Sequence, residues 1–296
     1  MQLSPRDSDL LLFLYRTPAT AAQILKASVA FDEGEYRDER RVRERMQALG
    51  KLKLVRSFPL ALSGGGLANY YRLTPEGYRV VKGEGSDLPH RSQFAELPPS
   101  RLMHSLQLAD VVAHVYSLAH RQRVRLTSFH RENELVLEVG GHRVVPDCHL
   151  QLETSGRTFN LLVELDRSTE TLDGIAATTI RTKLLGYEAY QDYVFGIWKN
   201  NGEQGPRPAF RVVFLTMTAE RALHILALAH DCARNRDRRL CYAATVDGFL
   251  SDPQGLRTPI FLDHGGRWNA LVNPFPTASF QRTPVRIPPF VQPSLL

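Results

Sequence analysis

The sequence predicts a chain of mixed α and β structure (α+β) that folds as two domains of different design. The chain has 296 residues, more than the ~100–200 that one domain usually takes. Helical and strand-like patterns also follow each other in a different order in the two halves. Between the halves, residues 86–100 have the proline and polar content of a linker. The predicted divisions are residues 1–85, the linker 86–100, residues 101–250 and a proline-rich C-terminal extension, 251–296.

The composition is that of an ordinary globular protein, 43% hydrophobic and 23% charged. No apolar run approaches the ~20 residues that a membrane-spanning helix needs, and the start lacks the basic and apolar blocks of a secretory signal. We therefore expect a cytoplasmic protein with no membrane partner. Cys148, Cys232 and Cys241 show no CxxC spacing, which argues against a disulfide framework or a zinc ribbon and predicts buried, reduced thiols.

The charge balance favours a polyanionic partner, because the net charge is +6 and the isoelectric point is about 9.3. The basic residues are unevenly distributed, and many of them fall in one short N-terminal stretch. That stretch contains Arg37, Arg40, Arg41, Arg43, Arg45, Lys51, Lys53 and Arg56.

Two short helices are predicted at the N-terminus. Ser4 before Pro5, followed by leucines at helical spacing, predicts a capped helix that ends near Arg16. The dipeptide at residues 17–18 breaks this helix, and Thr20 begins a second one.

A third helix and a β-hairpin complete this domain. Residues 39–49 place Val42, Met46 and Leu49 on one face and leave arginines on the others. Strand-like runs at residues 53–56 and 70–73 flank the glycine-rich segment 63–66, as in a hairpin with a glycine tip. This order predicts a winged helix-turn-helix, and YYRLTPEGY (residues 70–78) resembles the end of the wing in many bacterial winged-helix regulators.

Such a domain places its third helix in the major groove of double-stranded DNA, while flanking basic residues contact phosphates. The alternative is a protein-assembly module in which acidic residues pair with the arginines on a solvated face. A homodimer is compatible with either, because winged-helix proteins often read two half-sites. The predicted DNA-binding residues are Arg37, Arg40, Arg41, Arg43, Arg45, Lys51 and Lys53.

The larger domain begins with a long amphipathic helix and continues with a mixture of strands and helices. Their order predicts a central sheet with helices on both faces. Strand-like segments are found at residues 123–128, 134–139, 143–152, 158–166, 210–216 and 241–246, and helical segments at residues 101–120, 173–193 and 219–235.

Acidic side chains follow two neighbouring strands of this domain. The motif VVPD (residues 144–147) puts Asp147 on one strand, and LLVELD (residues 161–166) brings Glu164 and Asp166 to the end of the next. Glu164 and Asp166 share a strand face, so we expect the three carboxylates to converge. Converging carboxylates suit a hard cation such as Mg²⁺ or Mn²⁺.

This order of a helix, a strand with Pro-Asp, a strand with an acidic pair and another helix resembles the PD-(D/E)XK nuclease fold of restriction endonucleases. The resemblance implies that Asp147 and Glu164 are metal ligands. The lysine of that family, two residues after the second acid, is replaced by Asp166 here. Lys183 on the following helix is therefore expected to reach the site, with Asp166 assisting metal binding. The catalytic set so implied is Asp147, Glu164, Asp166 and Lys183; the alternative is that Asp166 forms a local salt bridge with Arg167 and Glu164 caps a loop.

Most of residues 4–220 resemble the replication-relaxation family of plasmids and other mobile elements. The resemblance rests on RLMHSLQLADV (101–111), VVPD, VELDRSTETL (163–172) and KLLGYEAY (183–190). It implies DNA binding connected with plasmid replication, relaxation or mobilisation, with the nuclease-like domain contributing DNA contacts or self-association. The enzymatic alternative is a Mg²⁺- or Mn²⁺-dependent DNA endonuclease. The sequence has no P-loop, GxGxxG, GxSxG or HExxH motif, so no nucleotide cofactor is expected.

Overall fold

A computed structural model of the chain describes residues 3–62, 64–168, 170–172, 179–205, 207–235, 237–272 and 283–287. The chain divides into two compact units, Met1–Arg123 and Val124–Leu296. The fold is of the mixed α/β class, as the sequence predicts.

The N-terminal unit combines helices with a small antiparallel sheet in the order β1-β3-β2. Its described helices are α1 (Pro5–Arg16), α2 (Ala21–Ala27), α3 (Glu39–Lys51), α4 (Pro75–Lys82) and α5 (Pro99–Arg121). Its described strands are β1 (Ala19–Thr20), β2 (Val55–Ala61) and β3 (Leu67–Leu73). From α1 to β3 this is the element order predicted for a winged helix-turn-helix.

Side-chain caps fix where the first helices begin. Ser4 and Asp7 form a reciprocal capping box at the start of α1, and Thr20 and Gln23 form another at α2. Both starts agree with the sequence prediction. Asp38 caps α3 by accepting a hydrogen bond from the backbone N–H of Arg41, at 3.0 Å, and the helix continues two residues beyond the predicted end.

The hairpin β2–β3 is anchored at its base by the LTPEG motif. The backbone N–H of Thr74 donates to the carbonyl oxygen of Leu54 at 3.0 Å. A Cβ on Gly77 would lie 2.0 Å from that same oxygen, so only glycine permits α4 to approach the hairpin this closely. The LTPEG motif therefore allows α4 to pack closely on the hairpin in addition to forming a turn. Both strands of the hairpin are longer than the runs predicted from the sequence.

Helix α5 belongs to the N-terminal unit, which differs from the predicted division before residue 101. The side-chain amide of Gln23 on α2 donates to the carbonyl oxygen of Leu106 and to Asp110, both at 2.8 Å. Pro98 and Pro99 resemble the end of a linker, but they form the cap and first turn of α5, where a missing N–H costs nothing.

The second unit is built on a sheet of seven described strands in the order β12-β11-β10-β9-β8-β7-β4. Strands β8, β9 and β10 are parallel, and the remaining pairs are antiparallel. The sheet strands are β4 (Arg125–Arg131), β7 (Cys148–Thr154), β8 (Arg157–Asp166), β9 (Arg211–Thr216), β10 (Cys241–Thr245), β11 (Phe261–Asp263) and β12 (Trp268–Asn269). A separate hairpin comprises β5 (Leu137–Val139) and β6 (His142–Val144), and the helices are α6 (Ile180–Asn200), α7 (Ala219–Cys232) and α8 (Val246–Ser251).

The strand predicted at residues 143–152 is in fact two strands. Its first part, β6, pairs with β5, and its second part, β7, joins the large sheet. The break falls at Pro146, which has no N–H to donate to a ladder. Asp147 consequently lies just before β7 instead of within a strand.

Helix α6 packs closely against the β5–β6 hairpin. A Cβ on Gly186 would lie 2.2 Å from Cγ2 of Val144, so the absence of a side chain there brings the helix close to the segment that precedes Asp147. The helix was predicted from residue 173, and residues 173–178 lie outside the described part of the chain. Leu184 and Tyr187 of α6 share an apolar core with residues of α7, so these two helices cover the same sheet face.

The C-terminal extension predicted from residue 251 is partly sheet. Strands β11 and β12 lie within that range and extend the large sheet beyond β10. Pro253 and Pro259 precede these strands, and most of the later prolines of the range fall in residues 273–282 and 288–296, which lie outside the described part.

Cys148, Cys232 and Cys241 are free and buried, as expected from their spacing. None of the helices in the described part of the chain is long and apolar enough to cross a membrane.

Candidate functional site

The antiparallel register of β7 and β8 brings Asp147 and Glu164 together. Cys148 pairs with Val163, so one further step places Asp147 opposite Glu164. The backbone N–H of Asp147 donates to the carbonyl oxygen of Val163 at 3.1 Å, and Oδ2 of Asp147 accepts from the N–H of Leu165 at 2.7 Å. The convergence predicted for these two carboxylates is present.

Glu164 is almost completely removed from solvent, with 2% of its surface exposed. Burial, reinforced by the neighbouring charge of Asp147, raises the pKa of Glu164 to about 7, although Lys183 and Tyr187 oppose this. Because the ionised form is destabilised by burial, this carboxyl group can exchange a proton near neutral pH.

Lys183 on α6 reaches the same carboxylate. Its Nζ lies 2.9 Å from Oε2 of Glu164 and 2.8 Å from Oε1 of Glu170. Burial lowers the pKa of Lys183, but the two glutamates outweigh burial and raise it above the ordinary value. The ammonium group therefore remains charged. Lys183 reaches Glu164 from α6, as the sequence predicts for this lysine.

Tyr187 is a member of this cluster that the sequence analysis did not identify. Its hydroxyl donates a hydrogen bond to Oε1 of Glu164, so both oxygens of that carboxylate are engaged. Burial, then the charge of Glu164, raises the pKa of Tyr187 well above its ordinary value, which keeps the hydroxyl protonated as a donor. The spacing of four residues from Lys183 was the available signal, since it puts both side chains on one helix face.

Asp166 does not join the cluster, contrary to the predicted convergence of three carboxylates. Its two oxygens accept hydrogen bonds from Arg221 at the start of α7, at 2.7 and 3.1 Å. Arg221 also donates to the carbonyl oxygen of Glu170 at 2.6 Å. The partner of Asp166 is thus Arg221, not the adjacent Arg167 that the sequence suggested as an alternative.

The donor chemistry around Asp147 and Glu164 fits a hard divalent cation in one respect. Mg²⁺ is commonly held by one or two carboxylates, with waters and substrate phosphates completing the octahedron. Asp147 and Glu164 would be those carboxylates, and a bound cation would polarise a phosphate. Within the described ranges no group of three or more histidine, cysteine, aspartate or glutamate side chains is arranged to hold a metal.

The predicted recognition helix α3 has one buried face and a broad charged face. Val42, Met46 and Leu49 are buried, as predicted. On the exposed side Arg40 and Arg41 pair with Glu44 at 2.9 and 2.8 Å, and Arg43 pairs with Glu39 at 2.9 Å. The exposed arginines of α3 are therefore paired with acidic residues, as the assembly-module alternative predicts.

Arg45 occupies a different environment from the other arginines of α3. It donates from two nitrogens to both oxygens of Asp7, whose side chain is 1% exposed. Burial raises the pKa of Asp7, but hydrogen bonds from Arg45 and Ser4 outweigh burial and hold it below its ordinary value. Arg45 therefore ties α3 to α1. The remaining predicted DNA-binding residues, Arg37, Lys51 and Lys53, are exposed.

A family model described as replication-relaxation matches residues 13–205 of this chain. The chain belongs to the replication-relaxation family. The match covers more than half of the sequence and includes α3, Asp147, Glu164 and Lys183. No curated protein matches this family member.

Among solved structures, this replication-relaxation protein is similar to the restriction endonuclease FokI, with 12% sequence identity and a TM-score of 0.28. The similarity covers 86% of this chain and 45% of FokI, so the chain spans less than half of that enzyme. A likeness this weak carries no argument about activity.

Proposed function

We propose that this replication-relaxation protein binds double-stranded DNA through its N-terminal unit, in the replication, relaxation or mobilisation of a plasmid or another mobile element. The observation that carries the proposal is the two-sided character of α3. This helix buries Val42, Met46 and Leu49 in its own unit and presents arginines to solvent. A helix held by one face with cationic donors on the other suits insertion into the major groove.

The ion pairs on α3 are compatible with DNA binding because they are exposed. The side chains of Arg40 and Arg41 are 81% and 62% exposed, and water screens their attraction to Glu44. A DNA phosphate or a guanine edge can therefore replace the glutamate as the acceptor of the guanidinium. Where the DNA offers no acceptor to the arginines, Glu39 and Glu44 keep them paired and repel the duplex. Such an interface is more selective than a purely basic one.

The hairpin supports the same orientation. Lys51 is the last residue of α3 and Lys53 lies between α3 and β2, so both exposed lysines are next to the proposed recognition helix. In this proposal they contact phosphates and the arginines of α3 contact bases. The second unit contributes further phosphate contacts or self-association, and a homodimer would read two half-sites.

The test measures the affinity of the full chain for short duplexes at several salt concentrations. The double variant Arg40→Gln/Arg43→Gln should bind at least about tenfold more weakly at each salt concentration and discriminate less between duplex sequences, because two base contacts worth ~1–3 kcal/mol each are lost. Arg125→Gln/Arg143→Gln is the matched control, because it also removes two arginines from exposed ion pairs, with Glu153 and Glu138.

An equal loss of affinity in both double variants would show that only net charge matters and would reject α3 as the recognition helix. Unchanged affinity in the α3 variant would reject it as well. Circular dichroism of each variant establishes that the fold is retained.

A second candidate function is cleavage of phosphodiester bonds by the second unit with Mg²⁺ or Mn²⁺. The observation that favours it is the meeting of Asp147, Glu164 and Lys183, which come from the residue before β7, from β8 and from α6. In this candidate Asp147 and Glu164 hold the cation, and Lys183 supplies positive charge close to it.

Supercoiled plasmid incubated with Mg²⁺, Mn²⁺ or EDTA tests both functions in one experiment. Metal-dependent nicking that is lost in Asp147→Ala and kept in Asp231→Ala, an exposed aspartate on α7, would support cleavage. Retarded plasmid without nicking under every condition would reject cleavage and leave the binding proposal standing.

A further inference from the structure

The N-terminal unit contains a cavity of about 520 Å³ between the start of α1, the loop before α3 and one side of α3. Four guanidinium groups and two carboxylates line its walls. Arg6, Arg41 and Arg45 are each paired with a carboxylate, whereas the exposed Arg37 makes no ion pair with a described residue. The charged residues that line it are Arg6, Arg37, Arg41, Arg45, Glu35 and Glu44.

Two hydrogen-bond donors at this cavity have no acceptor among the described residues. The hydroxyl of Tyr36, a residue only 7% exposed, is buried without a partner. Nε of Arg6 is also buried without a hydrogen bond, although it lies 4.0 Å from Oε2 of Glu33 and the same guanidinium donates to the carbonyl oxygen of Glu33. The guanidinium of Arg6 lies over the ring of Tyr36, 5.1 Å from its centroid. Burying a donor without an acceptor costs free energy, so a protein rarely keeps two such groups side by side unless something else satisfies them.

The missing partner must be an acceptor, and the guanidinium of Arg37, which makes no ion pair with a described residue, favours an anion. Arg6 is a donor only. Burial raises the pKa of Tyr36 to about 12, so its hydroxyl also keeps its proton near neutral pH. A phosphate group has several oxygens that accept charge-assisted hydrogen bonds, and arginine is the side chain best suited to bind it.

The position of the cavity indicates where such a phosphate would come from. Arg41 and Glu44 line the cavity, and they lie on the same helix as Arg40 and Arg43, which point to solvent. A duplex with α3 in its groove would carry its backbone along the side of the helix where the cavity opens. The side chains of Arg6 and Glu33, which form an ion pair at 4.0 Å, are 30% and 41% exposed, so a phosphate could replace the Glu33 carboxylate as the partner of Arg6.

We infer that this cavity is a binding site for one backbone phosphate of the DNA, with Tyr36, Arg6 and Arg37 as its donors. The inference rests on the proposed function, and it adds a specific anchoring point beside the recognition helix. In this arrangement Arg45 is a positioning residue, because its pair with Asp7 holds α3 against α1 at the wall of the cavity.

The test uses the full chain and the conservative variant Tyr36→Phe, which removes only the hydroxyl. Tyr78→Phe is the control, since Tyr78 is a buried tyrosine of the same unit, 8% exposed, that does not line the cavity. Affinity for a short duplex should fall about tenfold in Tyr36→Phe, the value of one hydrogen bond to a charged group, and stay unchanged in Tyr78→Phe.

Inorganic phosphate is the second probe, measured as the rise in thermal midpoint over chloride at equal ionic strength. Wild type should be stabilised by phosphate, and Tyr36→Phe should lose most of that rise. Without phosphate the variant should be at least as stable as wild type, because it no longer buries an unpaired donor. A purely structural role for the hydroxyl would instead lower the thermal midpoint and leave the response to phosphate intact.

Arg37→Gln gives an independent test, because this exposed side chain can be changed without disturbing the core. Arg79→Gln is its control, since Arg79 is a partly exposed arginine on α4 that does not line the cavity. If wild type binds duplex and neither Tyr36→Phe nor Arg37→Gln weakens it, the inference is overturned while the proposed function stands. If wild type does not bind duplex but its phosphate response depends on Tyr36, DNA is overturned as the source and free phosphate remains as the ligand.

Discussion

Acidic and basic side chains are paired in both units, but in opposite environments. On α3 the side chains of Arg43 and Glu39 are 52% and 45% exposed, whereas those of Lys183 and Glu164 in the second unit are 15% and 3% exposed. Exposed pairs are screened by water and exchange partners at little cost. Forming a buried pair costs desolvation free energy. Removing one partner costs more, because the other charge is then buried with neither water nor a counter-ion.

The exposed and the buried ion pairs therefore differ in whether their charged groups are available to a ligand. The pairs of α3 leave the arginines available to another anion. The cluster around Glu164 is satisfied internally by Lys183 and Tyr187, so any ligand there has to displace an existing bond. The comparison teaches that the burial of a charged motif must be known before its role can be assigned.

The largest expected effect comes from removing one partner of the buried pair. Lys183→Met leaves Glu164 with only the hydrogen bond from Tyr187, and at pH 8 it should lower the free energy of unfolding by roughly 3–5 kcal/mol in denaturant titrations. At pH 5 the loss should be smaller, because a protonated Glu164 needs no counter-ion. Lys199→Met on the exposed end of the same helix should be nearly neutral. A loss below about 1 kcal/mol at pH 8 would contradict the contrast between the two regions.

An intermediate effect is expected on the pH dependence of stability. The pKa of Glu164 in the folded chain is about 7, above its ordinary value of 4.5, so its protonated form favours folding. This contribution is fully present below about pH 4.5 and is lost as the pH rises through 7. Between pH 5 and pH 8 wild type should therefore lose stability relative to Glu164→Gln, as thermal midpoints in a buffer series would record. A constant difference between the two proteins would show that Glu164 does not titrate in this range.

The smallest expected change in the free energy of unfolding comes from removing an exposed ion pair of α3. Arg43→Gln removes a pair with Glu39 and should change the free energy of unfolding by less than about 1 kcal/mol, a change that added salt should reduce further. Denaturant titrations at low and high salt measure it. A change as large as that of Lys183→Met would mean that α3 depends on its ion pairs for folding and cannot release them to DNA.

The sequence predicted those features that depend on local chemistry. The helix caps at Ser4 and Thr20 are visible because a capping residue and its helix are adjacent in the chain. The meeting of Asp147 and Glu164 was also accessible, because neighbouring strands joined by a turn share a register.

Features that depend on distant partners were not accessible from the sequence. Asp166 was grouped with the other carboxylates because its partner Arg221 is 55 residues away and no periodicity links the two. The place of α5 was missed for the same reason, since amphipathicity shows that a helix needs a partner but not which one. Strands β11 and β12 were too short to give a pattern against the prolines that follow them.

The packing of α5 on α2 also bears on how the chain acquires its structure. The bonds from Gln23 to Leu106 and Asp110 span 83 and 87 residues, so they close only after almost the entire unit has been synthesised. Contacts of such long range slow folding, because a large loop must be ordered before they form. The arginine-bearing helix α3 is therefore synthesised well before α5 can pack on α2, which requires that residues beyond 110 have left the ribosome.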